Sequence, residues 1–235
     1  MGCRSCLHDG RPGSAQRTVV GEVLASRRDG GSVLVATKGG HLRAGPAEWR
    51  NDARPAALRA DLEAGLRALG RETVDLYFLH WPDPGVPFAE SVGALGEMRT
   101  EGKIRAVGIS NVDPALFAVA RAVAPVDAVE NPYSALGGDD ALLGECERLG
   151  IPFLAYSPLR GWDAGAASSR PLLDLAARRG VSPQQVLFAR LLHRSGALLP
   201  ISGAGRPETA ADPASAARLS LSSEEMRIVD AIKAA

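Results

Sequence analysis

Lys38 and His80 each stand at the end of a short, almost wholly apolar run. The first run is 33–37 (Val-Leu-Val-Ala-Thr), followed by Lys38-Gly39-Gly40; the second is 74–79 (Val-Asp-Leu-Tyr-Phe-Leu), followed by His80-Trp81-Pro82. An ammonium and an imidazole can steady a developing negative charge and share in proton transfer. A helix-patterned stretch separates the runs, which are therefore expected to be parallel strands joined by a crossover. Polar residues at the C-terminal ends of parallel strands are where the chemistry of β/α architectures sits. Further candidates end the later apolar runs: Ser110-Asn111, Glu130-Asn131, Tyr156-Ser157 and Ser202.

The elements that must position these residues repeat one unit. Strand 33–37 leads to helix 54–69, whose Leu58, Leu62, Leu66 and Leu69 recur at helical spacing. Strand 74–79 leads to helix 87–101, strand 105–109 to helix 113–122, and strand 126–130 to helix 139–149. Strand 152–156 is followed by a long loop and helices 170–179 and 182–194. Strand 198–201 opens a short helix at 207–211, and a last helix starts at Ser222. Continuous alternation predicts one α/β domain with a parallel sheet. An open dinucleotide-binding sheet would show a Gly-rich turn after its first strand, and none occurs. Polar residues at nearly every strand end favour a (β/α)8 barrel instead. A barrel needs eight strands; the pattern supplies six.

Composition narrows the function classes. With 27 basic and 27 acidic residues among 235, the formal charge is zero, which speaks against nucleic acid or an anionic membrane as partner. No apolar run is long enough to span a bilayer and the N-terminus lacks a signal-peptide core. Three cysteines do not make a disulfide framework, so a reducing cytoplasm is expected. Cys3-Arg-Ser-Cys6 with His8 has no second ligand pair and reads as a tail rather than a metal site; Cys146 reads as core.

Five segments in order carry a resemblance: Ala36-Thr37-Lys38-Gly39-Gly40, Asp75-Leu76-Tyr77-Phe78-Leu79-His80-Trp81, Gly108-Ile109-Ser110-Asn111, Asn131-Pro132-Tyr133-Ser134 and Ala155-Tyr156-Ser157-Pro158-Leu159. In order and spacing the chain resembles the aldo-keto reductase family from about residue 14 to its end. The expected organisation is a non-homologous tail over 1–13 and a barrel domain over 14–235. The resemblance implies an eight-stranded barrel that reduces aldehydes and ketones with NADPH, or oxidises alcohols in reverse. The substrate is a small carbonyl or alcohol.

The resemblance also implies roles. Hydride delivery builds negative charge on the carbonyl oxygen. In this family a tyrosine is the acid and a lysine, matched by Lys38, favours its phenolate. His80 matches the histidine that orients the carbonyl, and Trp81 lines the substrate mouth. Ser110, Asn111 and Glu130 face the nicotinamide carboxamide, and Tyr156 stacks on the ring. Ser157, Leu159 and Arg160 wrap the pyrophosphate. Ser202, Gly203 and Arg206 meet the adenosine phosphate, with the Arg206 guanidinium suited to a phosphate fork, and Asp212 lies at the adenine.

Departures stand beside the matches. The family's catalytic aspartate and tyrosine should precede residue 14; no tyrosine lies there, and Tyr77, Tyr133 and Tyr156 fill other places. His8 is a stand-in acid at that place, though a tail offers it no preorganisation. Glu130 replaces a glutamine and cannot donate to the carboxamide oxygen. Asp212-Pro213 replaces a Glu-Asn pair. Three readings follow: an N-terminally truncated active reductase, a catalytically inactive NADP(H)-binding or interaction protein, or altered chemistry without a tyrosine. A barrel short of its first two strands would also expose open edges and favour self-association.

Overall fold

The computed structural model describes residues 14–43, 48–203 and 205–232. Cys3, Cys6 and His8 lie outside these described residues. In chain order the elements are α1 (Ser14–Ser26), a 3₁₀ turn (Gly30–Ser32), β1 (Ala36–Gly39), β2 (His41–Arg43), β3 (Trp49–Asn51), α2 (Pro55–Leu69), β4 (Val74–Leu79), α3 (Phe88–Thr100), β5 (Ile104–Ser110), α4 (Pro114–Val123) and β6 (Ala128–Ser134). They continue as β7 (Gly137–Gly138), α5 (Asp140–Leu149), β8 (Phe153–Tyr156), α6 (Arg170–Arg179), α7 (Pro183–Arg194), β9 (Leu198–Pro200), α8 (Pro207–Ser215) and α9 (Ser223–Asp230). The chain divides between Val129 and Glu130 into two compact units.

In the first unit the strand order is β1-β4-β5, all parallel. Local chemistry sets the helices that cross between them. Pro55 at the first position of α2 has no N–H to leave unpaired, and Gly70 in the left-handed conformation (φ 64°) closes its C-terminus onto the Leu66 and Arg67 carbonyls. Asp113 caps α4 by accepting from the Leu116 N–H at 2.8 Å. The leucine stripe of α2 is buried together with Val74, Phe78, Leu95, Met98, Ile104 and Phe117. In the second unit the order is β6-β8-β9, with β7 paired antiparallel to β6. A core of Leu172, Leu175, Val186, Leu187, Phe188, Leu191 and Val229 lies among its helices.

Four expectations are corrected. The first strand occupies 36–39 rather than 33–37: Val33 and Leu34 are exposed, while the register pairs Lys38 with Phe78 and Gly39 with Leu79. The Val35 N–H is taken by the Asp75 carboxylate at 2.8 Å, so a side chain ends the ladder there. Strand β6 runs on through Pro132 to Ser134 because its far end pairs with Gly137 and Gly138. Helix α8 continues to Ser215 with Pro213 inside it. The stretch after Gly40, to which no element was assigned, contains the antiparallel hairpin β2–β3, in whose register His41 pairs with Asn51 and Arg43 with Trp49.

Candidate active site

The first unit brings Lys38, His80, Trp81, Ser110 and Asn111 to the C-terminal ends of three adjacent strands. The His80 N–H donates to the Gly39 carbonyl at 2.9 Å, and the Asn111 side-chain amide donates to the His80 carbonyl at 2.8 Å and the Ser110 hydroxyl at 3.0 Å. Asn111 adopts φ 60°, a left-handed conformation that asparagine tolerates better than most residues. These bonds tie the ends of β1, β4 and β5 to one another.

Lys38 rests on a built floor. Its Nζ lies 5.6 Å from the centre of the buried Phe78 ring. Gly108 makes that ring position possible, since a Cβ there would fall 2.3 Å from Phe78 Cδ1. Behind the strand lies a polar brace. Arg17 of α1 grips Asp61 of α2 with both Nη atoms at 3.0 Å, and its Nη2 also donates to the Lys38 carbonyl at 2.7 Å. The fully buried Tyr77 hydroxyl donates to Asp61 Oδ2 at 2.9 Å. Burial disfavours the Arg17 cation, but hydrogen bonding and charge from Asp61 outweigh it and raise its ionisation. Burial first, and the Asp61 charge second, push the Tyr77 phenol well above its ordinary value. Tyr77 is thus a structural donor held in its neutral form. Nothing in the sequence pattern singles out Arg17 or Asp61, which read as ordinary helix-face charges.

His80 is half-buried, and its ionisation is lowered to about 3 by burial, then by the Lys38 ammonium, then by His41. It is a neutral imidazole across the ordinary pH range. His41, which sequence reasoning passed over, stands beside it with ring centres 5.0 Å apart and planes at 75°. The His41 ring stacks flat on Trp49 at 4.8 Å and lies 5.9 Å from Trp81. Its Nδ1 is 2.7 Å from Asn51 Oδ1, and the Asn51 amide nitrogen donates to the Pro82 carbonyl at 3.1 Å. That second bond fixes the amide so that its oxygen faces the ring, and Nδ1 must therefore carry the proton. The alternation in His41-Leu42-Arg43 and Trp49-Arg50-Asn51, with Gly45-Pro46 between them in the sequence, was the signal available for this hairpin.

The second unit carries the remaining expected residues. Tyr156 ends β8, and Ser157 follows in a left-handed conformation (φ 55°), its carbonyl accepting from the Arg160 N–H at 3.0 Å. A non-glycine residue at positive φ is a local strain of the kind found at functional loops. Leu159 packs partly into the core of this unit, whereas Arg160 is exposed. Glu130 is buried in β6. After β9, Ser202 is half-buried, and Gly203 and Arg206 are exposed at the head of α8. The Arg206 N–H donates to Thr209 Oγ1 at 3.1 Å. Asp212 turns to α7, accepting from Ser182 at 2.7 Å and Gln185 at 2.8 Å. No group of metal-ligating side chains occurs among the described residues.

With this geometry described, the chain can be compared with known proteins. The family model described as the Aldo/keto reductase family matches residues 11–234. An uncharacterized oxidoreductase of Schizosaccharomyces pombe is 33% identical over 202 residues, which cover 84% of this chain and 65% of the relative. The chain thus spans just under two thirds of that relative's length. A glycerol dehydrogenase from Gluconobacter oxydans superposes with a TM-score of 0.83 at 27% identity, covering 93% of this chain and 77% of that one. An aldo/keto reductase from Klebsiella pneumoniae in complex with NADP and acetate gives 0.75 at 26% identity, with 92% and 75% covered. The fold is that of the (β/α)8 barrel family, to which the described residues contribute six parallel strands. The sequence match and the likeness to solved structures agree along nearly the whole chain, which belongs to the aldo/keto reductase family.

Proposed function

We propose that this chain is an NADP(H)-dependent carbonyl reductase, converting an aldehyde or ketone to an alcohol or running the reverse oxidation, with residues 14–235 as its reductase domain. The observation that carries this reading is the placement of Lys38 and a neutral His80 on adjacent strand ends. NADPH, when bound, supplies the hydride. His80, locked neutral, donates a hydrogen bond to the carbonyl oxygen without adding a charge, and the Lys38 ammonium offsets the negative charge that gathers there. Trp81, 39% exposed, offers an apolar wall to the substrate.

The residues of the second unit suit a dinucleotide. The strained turn at Ser157, with Leu159 and the exposed Arg160, serves the pyrophosphate. The open backbone at Gly203 and the exposed Arg206 at the head of α8 serve the adenosine phosphate, where helix amides favour an anion. Within this unit Tyr156 serves as a ring platform and Glu130 as an acceptor for a carboxamide amide; in the first unit Ser110 and Asn111 offer polar side chains at the end of β5. Asp212 reaches an adenine only while sharing its oxygens with Ser182 and Gln185.

NADPH oxidation with benzaldehyde, followed by absorbance, tests the reading. Lys38→Met should lower kcat by about 100-fold or more, the scale on which loss of one charge-stabilising group acts. Undiminished turnover in K38M would sink the assignment. A second reading, that the chain binds NADP(H) without turning over, is decided by the same assay. Quenching of the tryptophans by NADPH with no oxidation would favour that one.

A further inference from the structure

We propose that the hairpin β2–β3 is a specificity platform on which Trp49 takes the flat, fused-ring part of an aromatic carbonyl substrate, an inference that rests on the reductase reading above. Strands β2 and β3 are only three residues long, yet they present a tryptophan that is 44% exposed. An indole left that open forgoes much of the gain of burying a large apolar ring, so it adds little to the hairpin as packing. Its neighbours give it a use. The ring of His41 lies 5.0 Å from that of His80, and the ring of Trp49 lies 4.8 Å from that of His41. Trp81, itself 39% exposed, stands 5.9 Å from the same His41 ring. Two exposed indoles thus border one imidazole next to the group that orients the carbonyl oxygen.

The platform is built before any substrate arrives. His41 and Trp49 lie with their planes within 2° of parallel, and His41 Nδ1 is held by Asn51 Oδ1 at 2.7 Å. The base of the hairpin is fastened at three points to the segment that follows His80. The Asn51 amide donates to the Pro82 carbonyl at 3.1 Å, and the Ala53 N–H donates to the Asp83 carboxylate at 3.1 Å. The buried Ser91 hydroxyl of α3 donates to the Ala53 carbonyl at 2.8 Å. The Asp52 N–H ties the same base to the Gly40 carbonyl at 3.1 Å. Trp49, Trp81 and His80 are therefore set in one frame, and a contact surface ordered in advance costs little entropy on binding.

The spacing of the rings sets the class of substrate. With its carbonyl oxygen at His80, a compound carrying one benzene ring reaches the nearest neighbouring ring, His41. A second fused ring lengthens the flat face toward Trp49. An indole accepts such a ring offset or edge-on, with centres roughly 4.5–7 Å apart. Short aliphatic carbonyls end before Trp49 and gain nothing from it. Because Trp49 meets a part of the substrate that does not react, it grips ground state and transition state alike. Its effect should therefore appear in KM rather than in kcat.

The test uses the full chain with NADPH and compares 2-naphthaldehyde with butanal. Trp49→Ala should lower the ratio of kcat/KM for the two aldehydes by about tenfold, the discrimination that one apolar contact supports, with the change in the KM for 2-naphthaldehyde. Trp49→Phe keeps a flat ring and should keep most of the preference. A tryptophan that serves only to hold the hairpin predicts equal losses for both aldehydes. A ratio in W49A within about threefold of the parent, or an equal loss of preference in W49F, overturns the proposal. A second readout needs neither cofactor nor turnover. The three tryptophans give three indole N–H signals in a nitrogen–proton correlation spectrum, assigned with the Trp49→Phe, Trp81→Phe and Trp162→Phe chains. Millimolar 2-naphthaldehyde should shift the Trp49 signal and leave that of Trp162 in place; an unmoved Trp49 signal also overturns the proposal. A parent chain that oxidises NADPH with neither aldehyde strikes the reductase reading itself, while the indole shift still decides the platform, so the two failures are distinguishable.

Discussion

At the scale of single residues, the electrostatics of His80 yield a stability signature. Its folded-state ionisation is lowered to about 3, whereas an unfolded histidine titrates near 6.5. Between those values the unfolded chain takes up a proton that the folded chain refuses, so stability is undiminished above pH 6.5 and falls with pH below it. By pH 4 the loss should reach roughly 3 kcal/mol at 1.36 kcal/mol per pH unit. His80→Gln should lack this loss, which urea midpoints at pH 7 and pH 4 would reveal. Equal pH dependence in H80Q and the parent would mean that the ring is better hydrated than its surroundings indicate. The brace behind Lys38 gives a second expectation. Tyr77→Phe removes the buried donor to Asp61 and should cost about 1–3 kcal/mol. Arg17→Met leaves Asp61 buried without its cation and should cost about 3–5 kcal/mol.

At the scale of elements, the two strand ends that carry Lys38 and His80 were legible because parallel strands read as apolar runs and their polar termini interrupt the pattern. Helix α2 was legible from its leucine spacing, and Gly70, Gly102, Gly150 and Gly180 mark helix ends by composition alone. The hairpin β2–β3 was not, since each strand is three residues long and its alternation is too brief to outweigh the flanking glycines. His41 was missed with it: its significance comes from Trp49, Asn51 and His80, which folding alone brings around it. The Arg17–Asp61 pair was invisible for a related reason, being 44 residues apart with no periodic signal. One element-level prediction concerns β5. Gly108→Ala would drive a methyl into the Phe78 ring, and such overpacking costs about 1–3 kcal/mol. Because Phe78 is the floor beneath Lys38, G108A should also lower carbonyl turnover while tryptophan quenching by NADPH persists.

At the scale of the whole molecule, both units present an outermost strand among the described residues: β1 in the first and β9 in the second. Leu34 is 79% exposed next to β1, and Leu199 is 50% exposed within β9. Apolar residues on an unpaired strand edge favour pairing with another chain, so self-association is expected to rise with concentration. Leu34→Lys with Leu199→Lys should suppress it in light scattering without changing the circular dichroism spectrum. No described helix is long and apolar enough to cross a membrane.

The reach of Arg17 has a further consequence. One guanidinium holds helix α2 and the Lys38 carbonyl at once, so α1 acts as a latch on the end of β1. Any molecule whose α1 has swung away still has its sheet and most of its core, but its Lys38 is no longer anchored. Partial denaturation should therefore silence the chain before it melts it. In a urea titration the midpoint of carbonyl turnover should fall below the midpoint of the circular dichroism signal, and Arg17→Lys, a shorter and single-pronged grip, should widen the gap.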